Sequence, residues 1–174
     1  MNNTLLALAG EDANYLPASG QPVPGPDDAP LVNLNEVVQY HLLSRRQQVE
    51  ALQAIIRFDT LPHVAAFRQD LSMLVSHLFN SILDNPPVGN KLFIYIRCEK
   101  EKSEVMDLTL PEGFQRYEIS VYTSILADER WQQQQQPVLT DMQTLAARTG
   151  GAFTHYSIAK TGCLYHLVLP GKLL

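Results

Sequence analysis

The middle of the chain carries one long apolar stripe at helical spacing. Between residues 67 and 84 the apolar side chains recur every three or four positions, as on one face of an α-helix: Leu71, Leu74, Val75, Leu78, Phe79, Ile82 and Leu83. Asn85-Pro86-Pro87 ends the stripe, because proline cannot continue a helix. An apolar face this long must be covered, so we predict that residues 67–84 form the central helix of the domain and pack against a sheet.

Residues 1–30 differ in composition from the rest of the chain. Prolines and glycines crowd the stretch from residue 14 to residue 30: Pro17, Gly20, Pro22, Pro24, Gly25, Pro26 and Pro30. Such a segment cannot propagate a helix or a strand ladder, and it has little apolar surface to bury. We expect a Pro-rich arm over residues 1–30, one domain over residues 31–170 and a short tail over residues 171–174.

Helix and strand patterns alternate after the arm. Asn33 and Glu36 resemble a capping box that opens a helix. The apolar positions of that helix recur at helical spacing: Leu34, Val37, Val38, Leu42 and Val49. Strand patterns occupy residues 54–58, 91–98, 116–123, 153–158 and 163–169, with a further short strand expected at residues 105–110.

Two segments complete the pattern near the C-terminus. The polar run Gln132–Gln136 is predicted to be a solvated connection. A short helix containing Met142, Leu145 and Ala146 is expected after it, closed by Gly150-Gly151 at the position that glycine favours. The order of elements predicts an α/β fold, an α+β sandwich in which a mixed sheet has its helices packed on one face.

Composition excludes several classes of partner and compartment. The chain has 174 residues and a net charge of −5, and no basic cluster is larger than Arg45-Arg46, which argues against nucleic acid and anionic membranes as partners. No secretory signal or membrane-length apolar run is apparent. Cys98 and Cys163 fall in strand patterns and are interpreted as buried thiols in a reducing compartment, so we expect a cytoplasmic protein.

The ordered motifs of residues 31–170 resemble the histidine-kinase-like ATPase domain, whose fold is shared with gyrase-type ATPases. Leu31–Glu36 is similar to the "VDLNE" opening of such domains, and Leu61–Val64 to their "LPxV" segment. Leu74–Asn90 is similar to the helix that carries the asparagine box and to the loop after it. Gly150–Phe153 and Lys160–Pro170 are similar to the closing pattern "HGG.I…GxGTxFxIxLP". The resemblance implies the ATPase fold.

The residues that the family uses for phosphate and magnesium are replaced on the central helix. In the family two asparagines one turn apart face the nucleotide, and the second holds Mg²⁺; these positions are His77 and Ser81 here. Asn80 is one residue, about 100°, away from the second position. Where the family carries a basic residue for the phosphates, this chain has Asp84, which would repel them. Asp70 and Asp84 share this flank, which favours a solvated helix face over a small-ligand groove.

The adenine and lid motifs are also missing. The family's Asp-x-Gly-x-Gly motif corresponds to Thr123–Ala127, which has neither the aspartate nor a glycine. The glycine-rich lid should fall at Gln136–Leu139, where no glycine occurs and Pro137 has no N–H to offer. His77, Ser81, Asp84 and Thr123 are therefore interpreted as vestigial nucleotide positions. We expect no catalytic residue, no metal site and no cofactor, with ATP and Mg²⁺ as the alternative.

Three interpretations of the function follow from this resemblance. The first is a non-catalytic domain that acts through protein contacts in bacterial two-component signalling, with a sensor kinase or a response regulator as partner and homodimerisation as a further option. The second is the ATP-binding part of a split or divergent sensor kinase that retains weak nucleotide binding. A gene remnant that still folds is the third reading. Neither a dimerisation hairpin nor a phosphoacceptor box is present, so the chain cannot be a complete kinase by itself.

Overall fold

The chain forms a mixed sheet and a set of helices in the computed structural model, which describes residues 29–87, 91–102, 110, 112–125, 128–158 and 161–173. The described strands are β1 Leu31–Asn33, β2 Ile55–Phe58, β3 His63–Ala65, β4 Phe93–Lys100, β5 Gln115–Thr123, β6 Ala152–Ile158 and β7 Gly162–Lys172. The described helices are α1 Leu34–Ser44, α2 Arg46–Ala51, α3 Arg68–Leu83 and α4 Glu129–Arg148.

The strands form one sheet in the order β1-β3-β7-β5-β4-β2, with β6 also paired to β7. β2 and β4 are parallel, and the other described pairs are antiparallel. Burial alternates along β5, where Tyr117, Ile119, Val121 and Thr123 are buried and the residues between them are half-buried. The buried side faces the helices, so the predicted fold class is confirmed: a mixed sheet with helices packed on one face.

Helix α3 agrees with the predicted central helix to within one residue at each end. Most of its predicted stripe is in the core, with Leu71, Phe79 and Ile82 each 0% exposed. Leu78 is only partly buried, at the edge of the core. Phe79, which lies about 100° round the helix from Leu78, is therefore buried more deeply than its neighbour.

The start of α1 is fixed by two asparagines. Asn33 is the N-cap, and its side chain accepts a hydrogen bond of 3.0 Å from the backbone N–H of Asn35. The Asn35 side chain in turn donates to the backbone carbonyl of Leu61 and accepts from its N–H, at 2.7 and 2.9 Å. Helix α1 is thus tied to the chain that enters β3.

Helix α4 corrects two sequence predictions. Gln132–Gln136, expected as a solvated connection, lies within α4, and the short helix expected around Met142 is the C-terminal half of this long one. Asp128 caps it by accepting from the N–H of Trp131 at 2.7 Å. The helix continues through the polar run because glutamine is a good helix former and the buried side chains keep their spacing across it: Trp131, Leu139, Met142, Leu145 and Ala146.

The structure describes the C-terminal end of the predicted domain and little of the predicted N-terminal arm. β7 continues through Gly171 to Lys172 and pairs with β3, so these two residues belong to the sheet and not to a tail. The predicted arm, except residues 29 and 30, lies outside the described residues, as does the strand expected at 105–110 except residue 110. No helix in the described ranges is both long and apolar enough to cross a membrane.

Candidate functional site

Ser81, the position that corresponds to the magnesium-holding asparagine of the family, faces the core. Ser81 is only 2% exposed, and its Oγ lies 3.0 Å from the phenolic oxygen of Tyr165 on β7. Tyr165 is itself 1% exposed. The two hydroxyls satisfy each other, so neither is available at the surface.

An aromatic stack continues from Tyr165 towards α4. The ring of His155 on β6 lies 5.2 Å from Tyr165, and the ring of Trp131 lies 5.3 Å from His155. We call Trp131, His155 and Tyr165 the aromatic stack. Trp131 Nε1 and His155 Nε2 are buried and find no hydrogen-bond partner among the described residues, so ring packing holds the stack. The stack joins the first turn of α4 to the sheet and, through Ser81, to α3.

The environment of the stack keeps its titratable groups neutral. Burial raises the pKa of the Tyr165 phenol, although the hydrogen bond with Ser81 opposes this effect. Burial lowers the pKa of the His155 imidazole. A neutral phenol, a neutral imidazole and an indole form a packed, uncharged cluster.

Thr123, the position of the adenine-reading aspartate, is closed by the next part of the chain. It is 5% exposed at the end of β5, and its Oγ1 accepts from the N–H of Ile125 at 3.4 Å. The thiol of Cys163 donates to the Ile125 carbonyl at 3.2 Å. Gly162 approaches so closely that a Cβ on it would lie 1.8 Å from the Thr123 carbonyl oxygen. Thr123 is therefore buried, and the Gly162 backbone lies close beside its carbonyl.

The lid expected at Gln136–Leu139 is not a loop. These residues lie inside α4, which begins at Glu129, and only residues 124–128 separate it from β5. A connection of this length cannot form a lid that closes over a nucleotide. The placement at Gln136–Leu139 is wrong because the helix that was expected only around Met142 begins at Glu129.

The remaining vestigial positions face in other directions. Asp84 is the exposed C-cap of α3 and accepts a 2.9 Å hydrogen bond from the Gln48 amide of α2. His77 is half-buried. Asp70, expected on a solvated face, is 7% exposed, and it forms a 3.1 Å ion pair with Arg148 of α4. Helix α4 covers the Asp70 end of this flank, so that end is an interhelical contact.

Four residues that define this region were not predicted as site residues from the sequence. Tyr165 and Gly162 lie within the closing pattern, where "GxGTxFxIxLP" places a phenylalanine at Tyr165 and a glycine at Gly162. Trp131 and His155 lay in segments without a motif. Spacing alone could have found Trp131, since it lies seven residues before Val138 and eleven before Met142 on one helix face.

The two free thiols and the acidic groups form no metal site in the part of the chain that the structure describes, where no group of three or more His, Cys, Asp or Glu side chains comes together. Cys98 lies in β4 and Cys163 in β7, as predicted. Burial, together with Asp59 and Glu99, raises the pKa of Cys98 to about 11. Cys98 is therefore an inert thiol at neutral pH.

We expect Tyr165→Phe to lower the free energy of unfolding by about 1–3 kcal/mol, because it leaves the buried Ser81 hydroxyl without a partner. Urea unfolding of the wild type, Tyr165→Phe, Ser81→Ala and the double variant measures the coupling. The double variant should cost clearly less than the sum of the single changes. Additive costs would show that the two hydroxyls do not interact.

We expect the free energy of unfolding to fall as the pH is lowered below 6.5, the ordinary pKa of histidine. The folded-state pKa of His155 is lowered by burial, and that of His41 by burial and by Arg45. In the window between each folded pKa and 6.5 the unfolded chain binds the proton more readily. The contribution of these two histidines to the free energy of unfolding is therefore fully present above pH 6.5 and is lost as the pH falls below that value.

Urea unfolding over a pH series tests this sign with His155→Phe as the comparison. The variant keeps an aromatic ring in the stack but removes the titrating group, so its stability should depend less on pH than that of the wild type. An identical pH dependence in the two proteins would rule out a buried neutral His155.

Solved structures of histidine kinases share this fold. The catalytic domain of ThkA in a nucleotide-free form matches with a TM-score of 0.61 and 14% identity over 82% of this chain and 95% of that one. Full-length ShkA in complex with AMPPNP matches with a TM-score of 0.61 and 12% identity, over 84% of this chain and 32% of that one. ThkA in complex with the response regulator TrrA matches with a TM-score of 0.56 and 14% identity, over 82% of this chain and 42% of that one.

No protein-family model matches the sequence, and no curated protein does. The structural matches cover most of the chain, and the chain has the histidine-kinase-like ATPase fold that its motifs predicted. At these identities the similarity establishes the fold alone.

Proposed function

We propose that this chain is a degenerate histidine-kinase-type domain that binds no nucleotide and acts through protein contacts in two-component signalling. The observation that carries the proposal is the buried hydrogen bond between Ser81 and Tyr165. A magnesium ligand must present a free oxygen towards the ion. The Ser81 oxygen is directed into the core instead, where Tyr165 occupies the space beside it.

Three further features support the same proposal. Asp84 places a negative charge where relatives would meet phosphate, Gly162 brings the backbone against Thr123, and residues 124–128 are too short for a lid. Each lost contact removes about 1–3 kcal/mol of binding free energy. A millimolar dissociation constant corresponds to only about 4 kcal/mol, so the combined losses leave no measurable affinity. The residues present do not fit ATP and Mg²⁺.

A signalling partner is part of the proposal. ThkA, which shares the fold, has been crystallised with a response regulator, and a domain that has lost nucleotide binding can still use its surface for such a protein. The partner would be a response regulator or a sensor kinase, and the place of action the cytoplasm. The alternative, an ATP-binding part of a split kinase, requires nucleotide affinity and is separated from the proposal by the same experiment.

Thermal unfolding with and without millimolar Mg-ATP or Mg-ADP tests the proposal. A ligand that binds only the folded state at a hundred times its dissociation constant adds about 2.7 kcal/mol of stability. We expect no shift for the wild type, while ShkA, measured in parallel, serves as the positive control because its structure holds AMPPNP. We also expect none for Ser81→Asn combined with Asp84→Lys, since Thr123 remains buried at the position of the adenine-reading aspartate. A shift in the wild type would return the chain to the split-kinase alternative.

A further inference from the structure

The face of the sheet that points away from the helices, which we call the outer face, carries apolar side chains at one end. Alternation along each strand separates the two faces. On β4, Ile94 and Ile96 are buried in the core, so Phe93 and Tyr95 lie on the outer face. Because directly paired residues of neighbouring strands point to the same face, the register extends this assignment across the sheet.

One row of the outer face crosses five strands and is mostly aromatic. Its members are paired directly, strand by strand, in the order Arg57, Tyr95, Tyr122, Leu164 and Tyr156. The four residues after Arg57 are tyrosines and a leucine, so they form one continuous apolar row. Tyr156 on the edge strand β6 is 53% exposed.

A second row lies beside the first, nearer to the ends of the strands. Ile55 of β2 pairs with Phe93 of β4, and Ile158 ends β6. All three side chains are exposed. We call the apolar members of the two rows the apolar band: Ile55, Phe93, Tyr95, Tyr122, Tyr156, Ile158 and Leu164. Contiguous exposed apolar surface of this kind marks an interaction site.

The outer face next to the band is polar, and its acids are already paired. Glu99 forms an ion pair with Arg97 on β4. Glu118 of β5 lies 3.7 Å from the His166 imidazole of β7. These carboxylates therefore have partners on their own face.

Two cations beside the band have no acidic partner. Arg57 ends the first row on β2, and Lys91 lies two residues before Phe93. Both residues are exposed, and neither side chain forms an ion pair or a hydrogen bond with the part of the chain that the structure describes. A segment with apolar side chains close to carboxylates would match the band and its cations.

The N-terminal arm has this combination in its sequence. Leu5, Leu6 and Leu8 form a short apolar run, and Glu11 and Asp12 follow shortly after it. Residues 1–30 contain no lysine or arginine. The arm is therefore acidic, with its leucines next to its first carboxylates.

The chain between this run and the described domain is long enough to reach the band. The arm enters the sheet at Pro30, whose carbonyl accepts from the Ala66 N–H beside β1. Four strand spacings separate β1 from β4, and seven residues of β7 separate Gly171, which pairs with β3, from Leu164. The diagonal across the sheet is therefore about 30 Å. About 20 residues of Pro-rich chain span roughly 60 Å when extended.

We propose that residues 5–12 dock on the apolar band of their own chain, with the leucines on the band and Glu11 and Asp12 beside Arg57 and Lys91. A tethered segment has an effective concentration in the millimolar range, so a contact too weak to hold a free peptide is sufficient. The docked arm covers exposed apolar surface and keeps a second copy away from it. This inference goes beyond the proposed function and does not depend on it.

The outer face of a second copy matches the band less well than the arm does. It would bring apolar side chains together with the same two cations, while its carboxylates at Glu99 and Glu118 are already paired. The arm brings carboxylates and no cation. The charges therefore favour the arm.

Photo-crosslinking of the full chain tests the docking. Benzoylphenylalanine, a photoreactive aromatic residue, replaces Leu8, and the irradiated protein is digested and mapped by mass spectrometry. An equal mixture of ¹⁴N- and ¹⁵N-labelled protein distinguishes cross-links within one chain from those between chains. We expect most cross-links to join residue 8 to the apolar band of the same chain.

Matched variants locate the contact. Tyr156→Ser and Arg57→Gln should each lower the yield of band cross-links at least about threefold. Tyr40→Ser removes a similarly exposed tyrosine from α1, and Arg46→Gln removes an arginine that is paired with Glu50. Each of these controls should change the yield by less than about 1.5-fold. Because Arg57 is exposed, Arg57→Gln keeps the test valid if Tyr156→Ser fails to fold.

The outcomes separate this inference from the proposed function. Cross-links spread over other surfaces, no cross-link to the band, or equal effects of the matched variants would overturn the docking. Cross-links between ¹⁴N and ¹⁵N chains would place a second copy at the band and would overturn it equally. A protein that binds Mg-ATP loses the proposed function, whereas its cross-links still decide where the arm lies.

Discussion

Phe79→Ala is expected to lower the free energy of unfolding by about 3–5 kcal/mol, the range for deleting a fully buried aromatic side chain. Phe79 is 0% exposed on α3, within the core of the domain, and the surrounding core cannot collapse fully into the space that the ring leaves. Urea unfolding followed by circular dichroism gives the difference directly. The loss arises from packing and should not depend on nucleotide or salt.

Leu78→Ala is the control for this variant. Leu78 precedes Phe79 on the same helix but is only partly buried, so we expect a loss below about 2 kcal/mol. If Leu78→Ala cost as much as Phe79→Ala, the helix would be rotated relative to the described orientation. Ser81 would then no longer face Tyr165, and the argument from their hydrogen bond would fail with it.

Gly162→Ala is expected to lower the free energy of unfolding by about 3 kcal/mol or more, and only part of the variant is expected to be recovered as folded protein. Gly162 has a φ of +151°, and an added Cβ would lie 1.8 Å from the Thr123 carbonyl oxygen. The clash is with backbone at the start of a strand that is paired on both sides, so neither partner can move away cheaply. The change acts directly where the chain closes over the vestigial adenine position.

Gly113→Ala is the control that separates the cost of the steric clash from the cost of the positive φ. Gly113 also has a positive φ, of +80°, but nothing lies within 4 Å of an added Cβ. We therefore expect a loss of about 1–2 kcal/mol for the conformation alone. Thermal and urea unfolding of the two variants should differ clearly. Equal losses would show that β7 does not press against Thr123.

Local patterns were sufficient to predict most of the fold. Helix α3 was located by its stripe and by Pro86, and β5 by its alternation, because burial on one face imposes a period on each element. Helix α4 was only half found. Its glutamines have no apolar periodicity, and Pro137 usually breaks a helix, so a short window favoured a loop. The wider spacing from Trp131 to Leu145 was needed to recognise one helix.

The vestigial positions were predicted from their place in the motifs, but their surroundings could not be. Ser81 and Tyr165 are separated by most of the domain in sequence, and nothing local indicates that their hydroxyls meet. The aromatic stack likewise joins Trp131 and His155 from different elements. Asp70 was misjudged because helical periodicity gives the flank of α3 but not the element that covers it, which is α4 through Arg148. Such contacts depend on topology, which sequence patterns constrain weakly.

Isothermal titration calorimetry with Mg-ATP measures the central claim most directly, because it needs no unfolding step and reports affinity itself. We expect only heats of dilution up to millimolar Mg-ATP, since Ser81 is hydrogen-bonded within the core and Thr123 is buried. ShkA titrated under the same conditions should give a binding isotherm. A saturable isotherm with a micromolar dissociation constant for this protein would contradict the account.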